Sequence, residues 1–155
     1  IDGAYPAKAV HITHSQVTNR SPKRQQLSRD ILESLRTAFD RYHEKFSRRD
    51  QGVNFLHIDS LVGLRLSRYE TGQFMGVQTD KYPDADSNNV SWPAVTFSIN
   101  VNDDFEGGEL VLLDGEIVFK GVARQGIIFP ANFMYPHSVN AVTSGTRYSL
   151  AGWFR

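Results

Sequence analysis

Cysteine is absent from the 155 residues, which removes disulfides, thiolate metal sites and cysteine nucleophiles together. That fits a reducing compartment. No apolar run approaches the roughly 18 residues of a membrane helix, and no charged-then-apolar leader stands in the sequence. The expectation is a cytoplasmic protein without membrane association. Net charge is lacking too, since 17 Lys and Arg balance 17 Asp and Glu. The balance is uneven along the chain. Residues 1–50 hold 10 basic against 6 acidic side chains, and residues 51–155 hold 7 against 11. The basic excess lies mostly on "SPKRQQLSRDILESLRTAFDRYHEKFSRR", a stretch that would suit nucleic acid or an acidic partner. Acidic residues are interleaved through it, so it is read as the solvated face of an amphipathic helix, and no nucleic-acid partner is expected.

What is present is an ordinary globular composition, 40% hydrophobic and 22% charged, enough for one core. One domain over 1–155 is expected, with an N-terminal segment (1–50) carrying a supporting helix and a strand-rich core over 53–155. Ser21 can cap the helix and Pro22 suits its first position. Leu27, Ile31, Leu35, Ala38, Tyr42 and Phe46 then recur at three- and four-residue intervals, a stripe expected to pack on a sheet, and Gly52 marks the stop. From Val53 the texture changes to short strand signals: "NFLHI", "VGLRLSRYE", "FMGV", "AVTFSINV", "GELVLL", "EIVFK", "GIIFP", "HSVNAV" and "RYSLAGWF". They leave no room for helical crossovers, so the sheets should be mainly antiparallel. The expected class is mainly β with helical support (α+β), a double-stranded β-helix of jelly-roll or cupin type. The polar stretch "DKYPDADSNNVSWP" reads as a flap.

Within the strand half, Asp80 ends a strand just before that flap and His137 opens a later one. Arg147 lies ten residues beyond His137, with Ser149 two further on and so on the same strand face. "FEGGELVLL" adds a glycine pair leading into a strand. A carboxylate and imidazoles on adjacent strands can hold a divalent metal with positions left open, and a deep arginine beside a hydroxyl suits a bidentate grip on a carboxylate. A lone histidine or a lone buried arginine is more often structural. The order and spacing of all of them together carry the argument.

From about Val62 to Phe154 the chain resembles the 2-oxoglutarate- and Fe(II)-dependent dioxygenases, prolyl 4-hydroxylase-like branch. The pieces that match are "RYETGQFMGVQTD", "VTFSINVNDDFEGGELVL", "GIIFPANFMYPHSV" and "GTRYSLAGWFR". The resemblance implies a metal motif of His-x-Asp and a distal His, with an oxoglutarate arginine about ten residues later. Asp80, His137 and Arg147 fall on those positions, and Tyr69 on a tyrosine that lines the co-substrate pocket. Ser149, Leu110, Val139 and Trp153 fall on further pocket positions. The implied reagents are Fe(II), 2-oxoglutarate and O2, with ascorbate as reductant. The implied partner is a proline-containing peptide or protein, hydroxylated with release of succinate and CO2, and Tyr82 and Trp92 in the flap are the expected substrate contacts.

The departure is Gln78, where the motif has its first histidine. An amide oxygen is a weaker ligand for Fe(II) than imidazole nitrogen, and the amide NH2 cannot ligate at all. "FLHIDS" offers another His-x-Asp at His57 and Asp59, but it lacks the preceding Tyr-to-Phe run and lies 80 residues from His137, against 59 for Gln78. His11 and His14, in "HITH", are read as bystanders. Two accounts of Gln78 stay open: a barrel that has lost iron chemistry and only binds, or an altered copy of an active hydroxylase. The second is preferred because Asp80, His137, Arg147 and the glycines are intact. A sugar- or nucleotide-binding cupin-like module, which would ignore oxoglutarate, is the third alternative.

Overall fold

A computed structural model describes residues 8–12, 22–46, 61–80 and 93–155. In chain order its elements are β1 (Lys8–Ile12), α1 (Pro22–Phe46), β2 (Leu61–Glu70), β3 (Met75–Gln78), β4 (Val95–Asn100), β5 (Phe105–Gly107), β6 (Leu110–Leu112), β7 (Ile117–Phe119), β8 (Gly126–Pro130), β9 (His137–Val139) and β10 (Val142–Phe154). The expected strand "NFLHI", the side chains of His14, His57 and Asp59, and the flap residues Tyr82 and Trp92 lie outside the described residues.

These elements fall into two compact units, the helix in one and nearly all the strands in the other. The helix opens on Pro22, whose fixed φ and missing N–H suit the first turn. Its exposed face is knitted by Gln26, which donates to Asp30 and accepts from Arg29. Among its described side chains Leu35 and Phe39 are buried, and Phe39 meets the Tyr42 ring. Ala38, expected on the buried stripe, is exposed. The stripe steps by four residues from Leu35, not by three, and Phe39 brings far more apolar surface to the buried face than a methyl would.

The strands build two facing sheets. One runs β1-β2-β10-β4-β8 with β5 also on β10, and the other runs β3-β9-β6-β7. Every pairing with a described register is antiparallel, giving the jelly-roll sandwich that the strand spacing implied. The core between the sheets gathers Tyr69, Met75, Leu110, Leu112, Phe129, Val139 and Val142.

The long strand β10 organises the site. Alternation sends Arg147, Ser149, Ala151 and Trp153 to one face. The register sets Arg147 opposite Tyr69, Ser149 between Ser67 and Asn100, and Ala151 between Arg65 and Ser98. Residues 143–146 near its start and its partner β5 escaped the sequence reading, which ran "HSVNAV" as one strand. In the fold that stretch breaks at Asn140 and Ala141, whose backbone bonds go to Glu109 and Gly108. The glycine pair makes this possible. Gly107 and Gly108 have φ of +72° and +66°, and a Cβ on Gly107 would run into the Ala141 carbonyl oxygen. Gly107→Ala is expected to cost roughly 1–3 kcal/mol, measured by denaturant unfolding. An unchanged midpoint would show that the backbone here relaxes freely.

Candidate functional site

His137 and Asp80 come from different parts of the small sheet. His137 starts β9, and Asp80 lies two residues beyond β3, which pairs with β9. Both are buried, at 5% exposure each. The His137 Nδ1 lies 3.1 Å from the Tyr135 carbonyl oxygen, which can only accept, so Nδ1 carries a proton. The ring is set edge-on to Phe129, with centroids 5.1 Å apart. Its Nε2 then faces Asp80 Oδ1 at 3.7 Å, beyond hydrogen-bond reach. Asp80 Oδ2 accepts from the Thr96 hydroxyl of β4. Two electron-rich atoms held close, each fixed from behind by another group, suit a shared cation. A ligating histidine characteristically donates its second nitrogen to a carbonyl in this way.

Thr96 is therefore the residue that aims the carboxylate. Thr96→Val keeps the shape and removes the donor, and the expected loss is roughly 1.5–3 kcal/mol of stability for a buried bond to a charged group. Chemical denaturation measures it; a loss under half a kcal/mol would mean that water replaces the hydroxyl.

Arg147 is buried deeper, at 2% exposure. Its Nε and Nη2 donate to Asn100 Oδ1 at 3.2 and 3.0 Å, and its Cζ lies 5.3 Å from the centre of the Tyr69 ring. Asn100 is turned for this by donating its own Nδ2 to the Gly121 carbonyl. Burial pushes the Arg147 pKa down, while Tyr69 and Glu109 pull it back up. Burial likewise raises the Tyr69 pKa against the opposing pull of Arg147 and Arg65. Among the described residues no carboxylate pairs with Arg147. A guanidinium out of water, hydrogen-bonded to a neutral amide and in no close ion pair among the described residues, is poised for an anion.

One cavity joins the two groups. Asp80, His137 and Thr96 line it together with Arg147, Tyr69 and Ser149. Leu110, Val139 and Trp153 line it as well, as do Arg65, Met75, Ser98, Phe129 and Ala151. Gln78 is different. It pairs directly with His137 across β3 and β9, so the two side chains leave the same sheet face. It is half-buried and not among the cavity-lining residues. Among the described residues, no three His, Asp or Glu side chains come together.

Thr96, Asn100 and Arg65 were missed in the sequence, although a signal was there. In "VTFSIN" and "LRLSRY" small polar or basic residues alternate with apolar ones. Where the other face is also apolar and buried, as at Leu64, Phe97 and Leu150, that alternation means a polar interior and not a wet surface.

Residues 64–155 match the family model described as the 2OG-Fe(II) oxygenase superfamily. The chain belongs to that superfamily. The superfamily's reagents are Fe(II), 2-oxoglutarate and O2. A PKHD-type hydroxylase of Psychrobacter sp. is 34% identical over 93 residues, covering 56% of this chain and 35% of the relative. Another, from Picosynechococcus sp., is 38% identical over 93 residues, 58% of this chain and 40% of that one. The chain thus spans well under half the length of these two relatives. A Pseudomonas putida prolyl-4-hydroxylase shares the fold, with a TM-score of 0.61 at 22% identity over 95% of this chain and 69% of the other. So does a prolyl hydroxylase of Trichoplax adhaerens solved with a hypoxia inducible factor peptide, at 0.58 and 18% over 79% and 55%. For this 2OG-Fe(II) oxygenase, the carbonyl-anchored imidazole and the threonine-held carboxylate fit a divalent metal, and the unpaired guanidinium fits a dicarboxylate.

Proposed function

We propose that the chain carries the core of a 2-oxoglutarate-dependent hydroxylase. Asp80 and His137 hold Fe(II), with Gln78 standing where a stronger third ligand belongs. Arg147 and Ser149 bind the distal carboxylate of oxoglutarate, and Tyr69, Leu110, Val139 and Trp153 wall its carbon chain. A metal bound there would supply the oxidising chemistry, with O2 as the oxidant giving one oxygen atom to succinate and one to the hydroxylated C–H bond as CO2 leaves oxoglutarate. The protein's own part is narrower. Tyr135 and Thr96 fix the donor atoms, the apolar wall excludes water, and Arg147 sets how deep the diacid sits. The observation that carries this reading is the buried guanidinium without a carboxylate, in one cavity with the Asp80–His137 pair. That cavity measures about 30 Å³, so a diacid enters only as long side chains on the wall turn aside. A peptidyl prolyl or similar residue is the proposed target, with the flap that carries Tyr82 and Trp92 as its contact and ascorbate as reductant.

The test is thermal stability with Mn(II) and oxoglutarate, alone and together. Stabilisation by oxoglutarate that grows when Mn(II) is present supports the reading, and no response to oxoglutarate in either condition refutes it. A second reading, a barrel that binds oxoglutarate or peptide without turnover, is favoured by the amide at Gln78 and the two-residue donor set. Metal content after anaerobic Fe(II) loading, followed by succinate release, separates the two.

A further inference from the structure

The mechanism leaves one charged group in the cavity unused. Arg65 lines the same cavity, with its Cζ 5.5 Å from the centre of the Trp153 ring and its Nε buried without a hydrogen-bond partner. The next inward residue on β2, Ser67, is 1% exposed, and its Oγ is also buried and unpartnered. Two neighbouring unsatisfied groups on one strand face are costly unless a ligand meets them.

Charge points the same way. The cavity wall carries two guanidiniums, Arg65 and Arg147, against one carboxylate, Asp80. Glu109 bears on Arg147 electrostatically but is not on that wall, and Asn140 donates to it. A divalent metal and a dianionic co-substrate add no net charge, so the wall itself keeps one positive charge in excess. Arg65 and Arg147 hold different places on that wall. Arg65 stands opposite Ala151, whereas Arg147 stands opposite Tyr69, so the two cross-strand positions are four strand residues apart. That is about 13 Å between the two backbone positions, and the two guanidiniums lie over different rings, Trp153 and Tyr69.

We infer that Arg65 is a specificity-determining residue that receives a carboxylate of the substrate, so the hydroxylated molecule is acidic next to its reacting carbon. Ala151, opposite Arg65, and Ser98, opposite Ala151 on the next strand, are small and leave it room. The Trp153 ring lies within cation–π range of the guanidinium. This rests on the hydroxylase reading, and the test keeps the two apart.

The probes are oxoglutarate and a matched pair of short peptide amides, one with proline beside aspartate and its twin with asparagine. Binding is measured calorimetrically to the Mn(II)-loaded protein, with peptides titrated both with and without saturating oxoglutarate. The parent should prefer the aspartate peptide by about tenfold or more. Arg65→Gln should erase that preference while oxoglutarate affinity stays within about twofold, whereas Arg147→Gln loses oxoglutarate. If Arg65→Gln weakens oxoglutarate as much as Arg147→Gln does, Arg65 clamps the co-substrate and the inference falls. It falls equally if the aspartate preference survives the substitution, or if neither peptide binds. If the parent ignores oxoglutarate, the hydroxylase reading fails, and the peptide arm without oxoglutarate still decides the role of Arg65.

Discussion

Arg147→Met should lose oxoglutarate binding by about 100-fold or more, since charge-assisted contacts of this kind contribute roughly 1.5–3 kcal/mol each. Stability should change little, within about 1 kcal/mol, because two effects oppose each other. Methionine relieves the fold of a buried guanidinium whose pKa burial already depresses. It also orphans Asn100 Oδ1, which accepts both arginine donors. Methionine fills the volume under Gly108, where the arginine Cδ is the nearest atom. Calorimetric titration and denaturant unfolding on the same sample test both halves. Unchanged oxoglutarate affinity would move the co-substrate pocket elsewhere in the molecule, and a large loss of stability would make Arg147 a structural residue first.

Gln78→His should strengthen metal retention by about tenfold or more, or roughly 1.4 kcal/mol, because imidazole nitrogen suits Fe(II) better than an amide oxygen does. The backbone asks for no adjustment. Position 78 already faces His137 across the β3–β9 ladder, and it is half-buried, with room for a ring of similar size. Mn(II) binding followed by magnetic resonance gives the affinity directly, and succinate release under saturating Fe(II) with ascorbate gives turnover. Equal metal affinity in both versions would mean that position 78 does not reach the metal, and that Asp80 and His137 act without it.

Both experiments rest on positions that were legible in the sequence. Asp80, His137 and Arg147 stood out by order and spacing and Tyr69 by the family resemblance, and the fold brings all four to one cavity. The strand "GIIFP" matches β8 residue for residue, because Gly126 and Pro130 punctuate an apolar run. Shorter signals failed for a physical reason. In β5, "FEG" is too short to show a period, and it exists because β10 extends past it. In β1, "KAVHI" resembles any polar–apolar mixture until a partner strand is known. The roles of Thr96, Asn100 and Arg65 depend on which residues stand opposite them, and register between strands far apart in sequence is not written locally.

The central place of β10 also sets an order of events in biosynthesis. It pairs with β2, β4 and β5, all of which leave the ribosome before it, and β2 precedes it by more than seventy residues. Until β10 arrives, β2 and β4 have no partner between them, and Leu64, Tyr69 and Phe97 have only part of their eventual cover. Such non-local closure is slow, on the order of milliseconds to seconds, and unpaired apolar edges are open to aggregation meanwhile. Arg147 enters the interior with β10, so the cavity around its guanidinium and the large sheet form in one step.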